Sequence, residues 1–146
     1  MTDVHNPAIR SYNMSRIKSK NTKPEMLVRK YLHSKGIRFR LHDSKLPGKP
    51  DIVLPKYSCI IQVQGCFWHK HNGCKYFVVP KTRTNWWLAK INKTSIKDQE
   101  NENKLNEMGW NTIVIWECEL RGKQRDLTLN YLYERILYQL RNLTIH

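Results

Sequence analysis

Acidic side chains are scarce in this chain. Its 146 residues carry 12 Asp and Glu against 26 Lys and Arg, a formal charge of +14 and a pI near 9.8. Charge of one sign in that excess repels itself unless a polyanion relieves it, which makes nucleic acid the expected partner. Long apolar runs are also missing. No stretch reads as a membrane span, a signal-peptide core or a lipidation motif, and the basic residues are spread along the chain. The expectation is an intracellular, cytoplasmic protein without a membrane partner. Internal repeats, low-complexity tracts and linkers rich in Pro, Gly or Ser are absent too, and the length suits one core rather than two. Residues 1–146 are therefore expected to form a single domain.

Cysteine is sparse but unevenly placed. Cys59, Cys66, Cys74 and Cys118 come with no export signal that would support a disulfide framework. Cys66, His71 and Cys74 form a C-x4-H-x2-C cluster, and the His-Asn-Gly-Cys turn lets the chain fold back around an ion. A closed structural Zn2+ site takes four N or S ligands, and Cys118 is the natural fourth. Cys59 lies in the apolar run CII and reads as a small hydrophobe. The plainer alternative is four reduced thiols and a surface histidine.

The order of elements is legible. Residues 1–21 are polar and basic, with too few apolar positions for a firm helix face, and read as a flexible DNA-binding arm that orders on contact. NTKPEMLVRKYLHSKG then predicts a helix. Thr22 is its N-cap, Glu25 completes a capping box, Leu27, Val28, Tyr31 and Leu32 share a face, and Gly36 ends it. IRFRLH, DIVLP and SCIIQVQG read as a strand meander divided by LPGKP and PKYS. Thr84 to Met108 is helical with a break near Asn92 to Thr94; WNTIVIWEC is a buried strand and DLTLNYLYERILYQLRN an amphipathic helix. The order α-β-β-β-α-β-α predicts an α/β fold, a mixed central sheet flanked by helices.

Chemistry is expected where strands end beside loops. Asp51 opens the second strand after a Gly-Lys-Pro turn, where a carboxylate suits a hard cation or, taken alone, caps a turn. Gln62 and Gln64 alternate with Val63 on the next strand and face Asp51 if the two strands pair as a hairpin. Pro-Asp followed by polar-x-polar resembles the PD-(D/E)XK nuclease core. Longer strings narrow this. VHNPAIRSYNM, PGKPDIV, GCFWHKHNGC, PKTRT-x-WW and IVIWEC, in that order, resemble the Vsr family, the very-short-patch repair DNA mismatch endonucleases. The resemblance runs from the N-terminus to WECELRG at Gly122, and the last helix carries no family signature.

The resemblance implies a restriction-endonuclease-like core with a structural zinc. It also implies Mg2+-dependent nicking on the 5′ side of the thymine in a T:G mismatch left by deaminated 5-methylcytosine. Asp51 and the backbone carbonyl of Val63 would hold Mg2+, His69 would serve the proton transfers of hydrolysis, and Glu25 would support a metal-bound water. Glu25 keeps its capping role as an equal alternative. Gln64 departs from the family, which has histidine there, and an amide cannot take up a proton near neutral pH. Phe67, Trp68 and Trp87 would form an aromatic wedge, with Met14 entering from the opposite groove. Lys90 and Arg121 are candidate groove or phosphate contacts, or plain solvated charges. A MutL-type repair protein is the implied partner and a monomer the expected state. Two rival readings stay open: a zinc-stabilised DNA-binding module without catalysis, and a restriction-type nuclease cutting matched duplex.

Overall fold

The structure, a computed structural model, describes residues 21–145. The expected arm up to residue 20, and Met14 with it, lies outside the described residues. Among the described residues no helix is long and apolar enough to cross a membrane.

Helix α1 (Lys23–Ser34) starts as its sequence dictates. Thr22 is extended, its hydroxyl accepts from the Glu25 amide at 3.4 Å, and a proline stands in the first turn, where a missing N–H costs nothing. Only half of the predicted capping box forms, because the Glu25 carboxylate turns to His42 and Arg29 instead. Gly36, at φ 73°, ends the helix in the left-handed region, as predicted. The meander follows as β1 (Arg40–Leu41), β2 (Ile52–Leu54) and β3 (Cys59–Gln64), so the first predicted strand shrinks to two residues. Helix α2 (Thr84–Glu107), strand β4 (Asn111–Trp116) and helix α3 (Arg125–Ile145) complete the order read from the sequence.

The sheet runs β1-β2-β3-β4, antiparallel until β4 returns parallel to β3, so α2 is the crossover that a parallel pair requires. Strand alternation then sorts the side chains into two layers. Ile52, Leu54, Cys59, Ile61, Ile113 and Ile115 face α1 and α3 in the main core, joined by Val28, Leu32, Leu132 and Ile136. Val53 and Ile60 face α2 and meet Leu105 in a smaller cluster. Cys59 is thus a core residue, as its apolar flanks predicted.

The predicted break in α2 does not occur. The helix is continuous for 24 residues, about 36 Å at 1.5 Å per residue, and the Thr94 hydroxyl bonds back to the Lys90 carbonyl at 3.2 Å. Weak helix formers at Asn92 and Thr94 are overridden by the buried face of Trp87, Ile91 and Leu105, which docks the helix on the sheet. The turn before β2 touches this helix. A Cβ at Gly48 (φ 74°) would come within 2.7 Å of Asn101, so glycine meets both the backbone and the space requirement there.

Candidate active site and metal centres

Two clusters of metal-ligating side chains occur among the described residues. The first is built where β3 and β4 end. Their last residues, Gln64 and Trp116, are register partners, and Cys66 and Cys118 each stand two positions further on. The intervening loop closes on itself through His71 N–H to Cys66 O (2.9 Å) and Cys74 N–H to His71 O (3.2 Å). Glu119 accepts from the Trp116 amide at 2.9 Å and Gln124 donates to the Cys118 carbonyl at 2.7 Å, which steers Cys118 back toward the loop. The donor atoms of Cys66, His71, Cys74 and Cys118 lie within 4.8 Å of one another, the four predicted ligands.

Their chemistry fits a tetrahedral ion of zinc type. Cys118 Sγ and His71 Nδ1 are 3.5 Å apart, close to the S···N edge of about 3.5 Å that Zn–S and Zn–N bonds of about 2.3 and 2.0 Å produce. Burial pushes the Cys118 thiol up to about 12, with Cys66 and Cys74 adding to it, and burial likewise raises Cys66. Cys74 moves down in spite of burial, because the Tyr76 and Phe77 amides and the other two thiols stabilise its thiolate. Three crowded thiols do not all ionise without a cation to gather the charge. The His71 ring lies flat on Trp116, centroids 4.1 Å apart and planes within 4°, so the imidazole is held in one orientation.

The second cluster is Glu25, His42 and Asp51, with donor atoms again within 4.8 Å. Asp51 is fixed from both sides by β3. Its carboxylate accepts from the Val63 amide at 2.9 Å, and its own amide donates to Gln62 Oε1 at 3.2 Å, which confirms that Gln62 faces Asp51. Glu25 is only 2% exposed, and both of its oxygens lie 3.1 to 3.2 Å from His42 Nε2 while Arg29 approaches to 3.3 Å. Burial pushes the Asp51 carboxyl up to about 6, against the Val63 N–H bond; the charge of Glu25 raises it further and His42 and His69 oppose that. Two carboxylates this close, with a nitrogen beside them, form a donor set that a divalent cation would satisfy.

The acid cluster opens on a cleft of about 500 Å³, lined among others by His42, Asp51, Val63, Gln64, Trp68, His69 and Asp98. His69 Nδ1 is hydrogen-bonded to Asp98 Oδ2 on α2, a contact bridging 29 residues of sequence. That bond places the ring proton on Nδ1 and leaves Nε2 as the nitrogen free to exchange a proton. His42 and Asp98 were missed in the sequence. Asp98 had a signal: Trp87, Ile91, Thr94, Asp98, Asn101 and Leu105 follow helical spacing, so the acid interrupts an otherwise inward face.

The aromatic residues gather beside His69. Phe67 packs edge-on to Trp68 and Trp87, at 5.2 and 5.6 Å between centroids, and Trp68 lies 6.0 Å from Trp87. Phe67 and Trp68 are half-buried and belong to neither hydrophobic core. Trp87 is 7% exposed, covered by those rings and by Trp86 at 4.7 Å. Trp86 is itself exposed between Arg83 (4.5 Å) and Lys90 (5.1 Å). Arg121 stacks on Tyr76 at 4.4 Å and pairs with Glu117 at 3.5 Å.

Known proteins resemble this chain over most of its length. A family model described as DNA mismatch endonuclease Vsr matches residues 2–75. The DNA mismatch endonuclease Vsr of Escherichia coli (strain K12) is 44% identical over 93% of this chain and 86% of its own length. The type II nicking enzyme V.NmeAIP of Neisseria meningitidis serogroup A is 47% identical over 84% of the chain, and V.XorIIP of Xanthomonas oryzae pv. oryzae 48% over 82%; these matches cover 87% and 88% of the relatives. Asp51, His42 and the acid-bound His69 meet at one cleft of a strongly basic chain, which also holds a cluster of three cysteines and a histidine. The chain belongs to the Vsr family of DNA mismatch endonucleases.

Proposed function

We propose that this endonuclease nicks one strand on the 5′ side of the thymine in a T:G mismatch left by deamination of 5-methylcytosine, by Mg2+-dependent phosphodiester hydrolysis. The observation that carries the proposal is the meeting of Asp51, His69 and Trp68 on one cleft, which sets a carboxylate, a proton-transfer group and a stacking ring side by side. The printed names of relatives point the same way, one as a mismatch endonuclease and others as nicking enzymes.

The rings find the lesion and the acids cut beside it. Phe67 and Trp68, mounted on a loop braced by zinc at Cys66, His71, Cys74 and Cys118, enter the duplex, and Met14 of the N-terminal arm enters from the other groove. Aromatic stacking returns about 1 to 3 kcal/mol per base against an unstacking cost of a few kcal/mol, so a weakly paired step opens first. Trp87 serves as the floor on which these two rings sit. Lys90 and Arg121 neutralise phosphates on either side.

Asp51 and the Val63 carbonyl would hold the divalent ion, with Glu25 supporting it. When bound, Mg2+ supplies Lewis-acid chemistry, drawing charge from the scissile phosphate and acidifying coordinated water. His69, aimed by Asp98, passes a proton at Nε2: it takes one from the attacking water or gives one to the departing 3′ oxygen. Gln64 orients a phosphate oxygen or water by hydrogen bonding and exchanges no proton.

Labelled duplexes carrying T:G, C:G or T:A at one position, incubated with and without Mg2+ and resolved on denaturing gels, test the proposal. A single Mg2+-dependent nick in the T:G duplex is expected. Cutting of both strands of matched DNA would identify a restriction-type nuclease. Binding without cutting would identify a DNA-binding module, the outcome toward which Gln64 leans.

A further inference from the structure

We infer that His42 is a direct nitrogen ligand of the divalent ion at Asp51, and that this donor tilts the site toward Mn2+ over Mg2+. The inference rests on the reading that Asp51 holds the catalytic cation. Its ground is the placement of one ring nitrogen. His42 Nε2 stands equidistant from the two Glu25 oxygens, 3.2 and 3.1 Å away, and the donor atoms of Glu25, His42 and Asp51 fall within 4.8 Å of one another. An octahedral ion with bonds of about 2.1 Å holds adjacent donors about 3 Å apart and opposite ones about 4.2 Å apart, so the three close around a cation with movements under about 1 Å.

The backbone is bent to keep the imidazole there. His42 has φ 47°, in the left-handed region that costs most residues about 1 kcal/mol or more, and its amide donates to the Asp51 carbonyl at 3.1 Å. The residue that carries the nitrogen and the residue that carries the carboxylate are therefore locked together across β1 and β2. Glu25, almost wholly buried, balances its charge on Arg29 and on the His42 ring, which it would share with a bound cation. Gln64 lines the same cleft with an amide, so among the described residues His42 and His69 are the imidazoles that reach it.

The chemical consequence is selectivity. Mg2+ gains little from replacing an oxygen donor by imidazole, whereas first-row transition ions accept nitrogen readily and with shorter loss of hydration. Mn2+ is the member of that series closest to Mg2+ in its demand for carboxylates, and so the ion that this mixed set suits.

Pulsed electron paramagnetic resonance of Mn2+ bound to the full-length, zinc-loaded protein tests the inference, with isothermal calorimetry of Mn2+ and Mg2+ alongside. Wild type should show nitrogen modulation from a coordinated imidazole and bind Mn2+ at least about tenfold more tightly than Mg2+. His42→Asn, chosen because asparagine tolerates a left-handed backbone, should lose the modulation and most of the preference; His42→Gly is a second variant free of backbone strain. His69→Ala should keep the modulation. Absence of modulation in wild type, or its survival in both His42 variants, overturns the inference. Nitrogen modulation that persists in Asp51→Ala places the ion elsewhere and overturns it as well. A T:G duplex left uncut by protein that shows the His42-dependent signal overturns the mismatch proposal and supports the ligand assignment.

Discussion

The thiol cluster and the acid cluster lie at the same end of the sheet and obey opposite rules. Cys66, His71, Cys74 and Cys118 surround one point with soft donors that leave no position open, as a structural ion requires. His42 and Asp51 line a cleft with the buried Glu25 beside them, and Asp51 keeps one oxygen beyond its bond to Val63 for another partner. Three ligands of the first cluster fall within nine residues of sequence, while those of the second come from α1, the end of β1 and the start of β2. The difference suits a bracing role for the first cluster and a reactive one for the second, and substitutions can tell the two apart.

The sharpest contrast is between Cys118→Ser and Asp51→Ala. Cys118→Ser should release zinc and destabilise the domain by several kcal/mol, a fall in Tm of more than about 10 °C, because structural metal binding is coupled to folding. Asp51→Ala should leave Tm and DNA affinity near wild type and reduce nicking by at least about a thousandfold. Metal analysis, thermal unfolding and a gel assay on both variants check the pair. Equal loss of Tm in the two would erase the distinction.

Asp98→Asn addresses the histidine between the clusters. It should lower kcat by about ten- to a hundredfold, less than His69→Ala, at unchanged KM, since it removes the group that sets the ring tautomer rather than the proton carrier. Single-turnover nicking rates across pH separate the two roles.

Asp51→Asn asks what the acid site costs in the absence of Mg2+. The Asp51 carboxyl titrates at about 6 in the folded chain against 3.8 for an ordinary aspartate, so the folded state binds its proton more tightly than the unfolded one. Stability from this group is therefore present below pH 3.8 and is lost as pH rises to about 6, and is constant above that. Without added Mg2+, Asp51→Asn should gain about 1 to 2 kcal/mol over wild type at pH 8, with no gain near pH 4. Denaturant unfolding at the two pH values measures it.

The smallest effect lies away from both clusters' ligands. Asn92 Oδ1, inside α2, is buried without a hydrogen-bond partner. Asn92→Ala should stabilise the chain by about 1 kcal/mol through better helix propensity and removal of that acceptor, again by denaturant unfolding.

The same contrast explains what could be read in the sequence. The cluster of Cys66, His71, Cys74 and Cys118 was legible because soft donors crowd one loop, and Cys118 followed once Cys59 was placed in the core. The meander and both later helices were legible from alternation and helical spacing. The acid site was legible only at Asp51 and Glu25, and Glu25 had a capping role to compete with. His42 was hidden by a left-handed backbone that reverses the direction its strand pattern suggests. Asp98 was hidden by the break expected at Asn92 to Thr94, which cut the helical stripe that singles it out. Weak local propensity gave way there to packing against Ile60, Val53 and their neighbours.

The parallel pairing of β3 with β4 carries one more consequence. Because Cys66 and Cys118 each follow the register pair Gln64 and Trp116 by two positions, the four-ligand pocket assembles only after the whole α2 crossover has docked. A metal held there would be taken up late in folding, so substitutions along α2, even far from either cluster, are expected to weaken the hold on it.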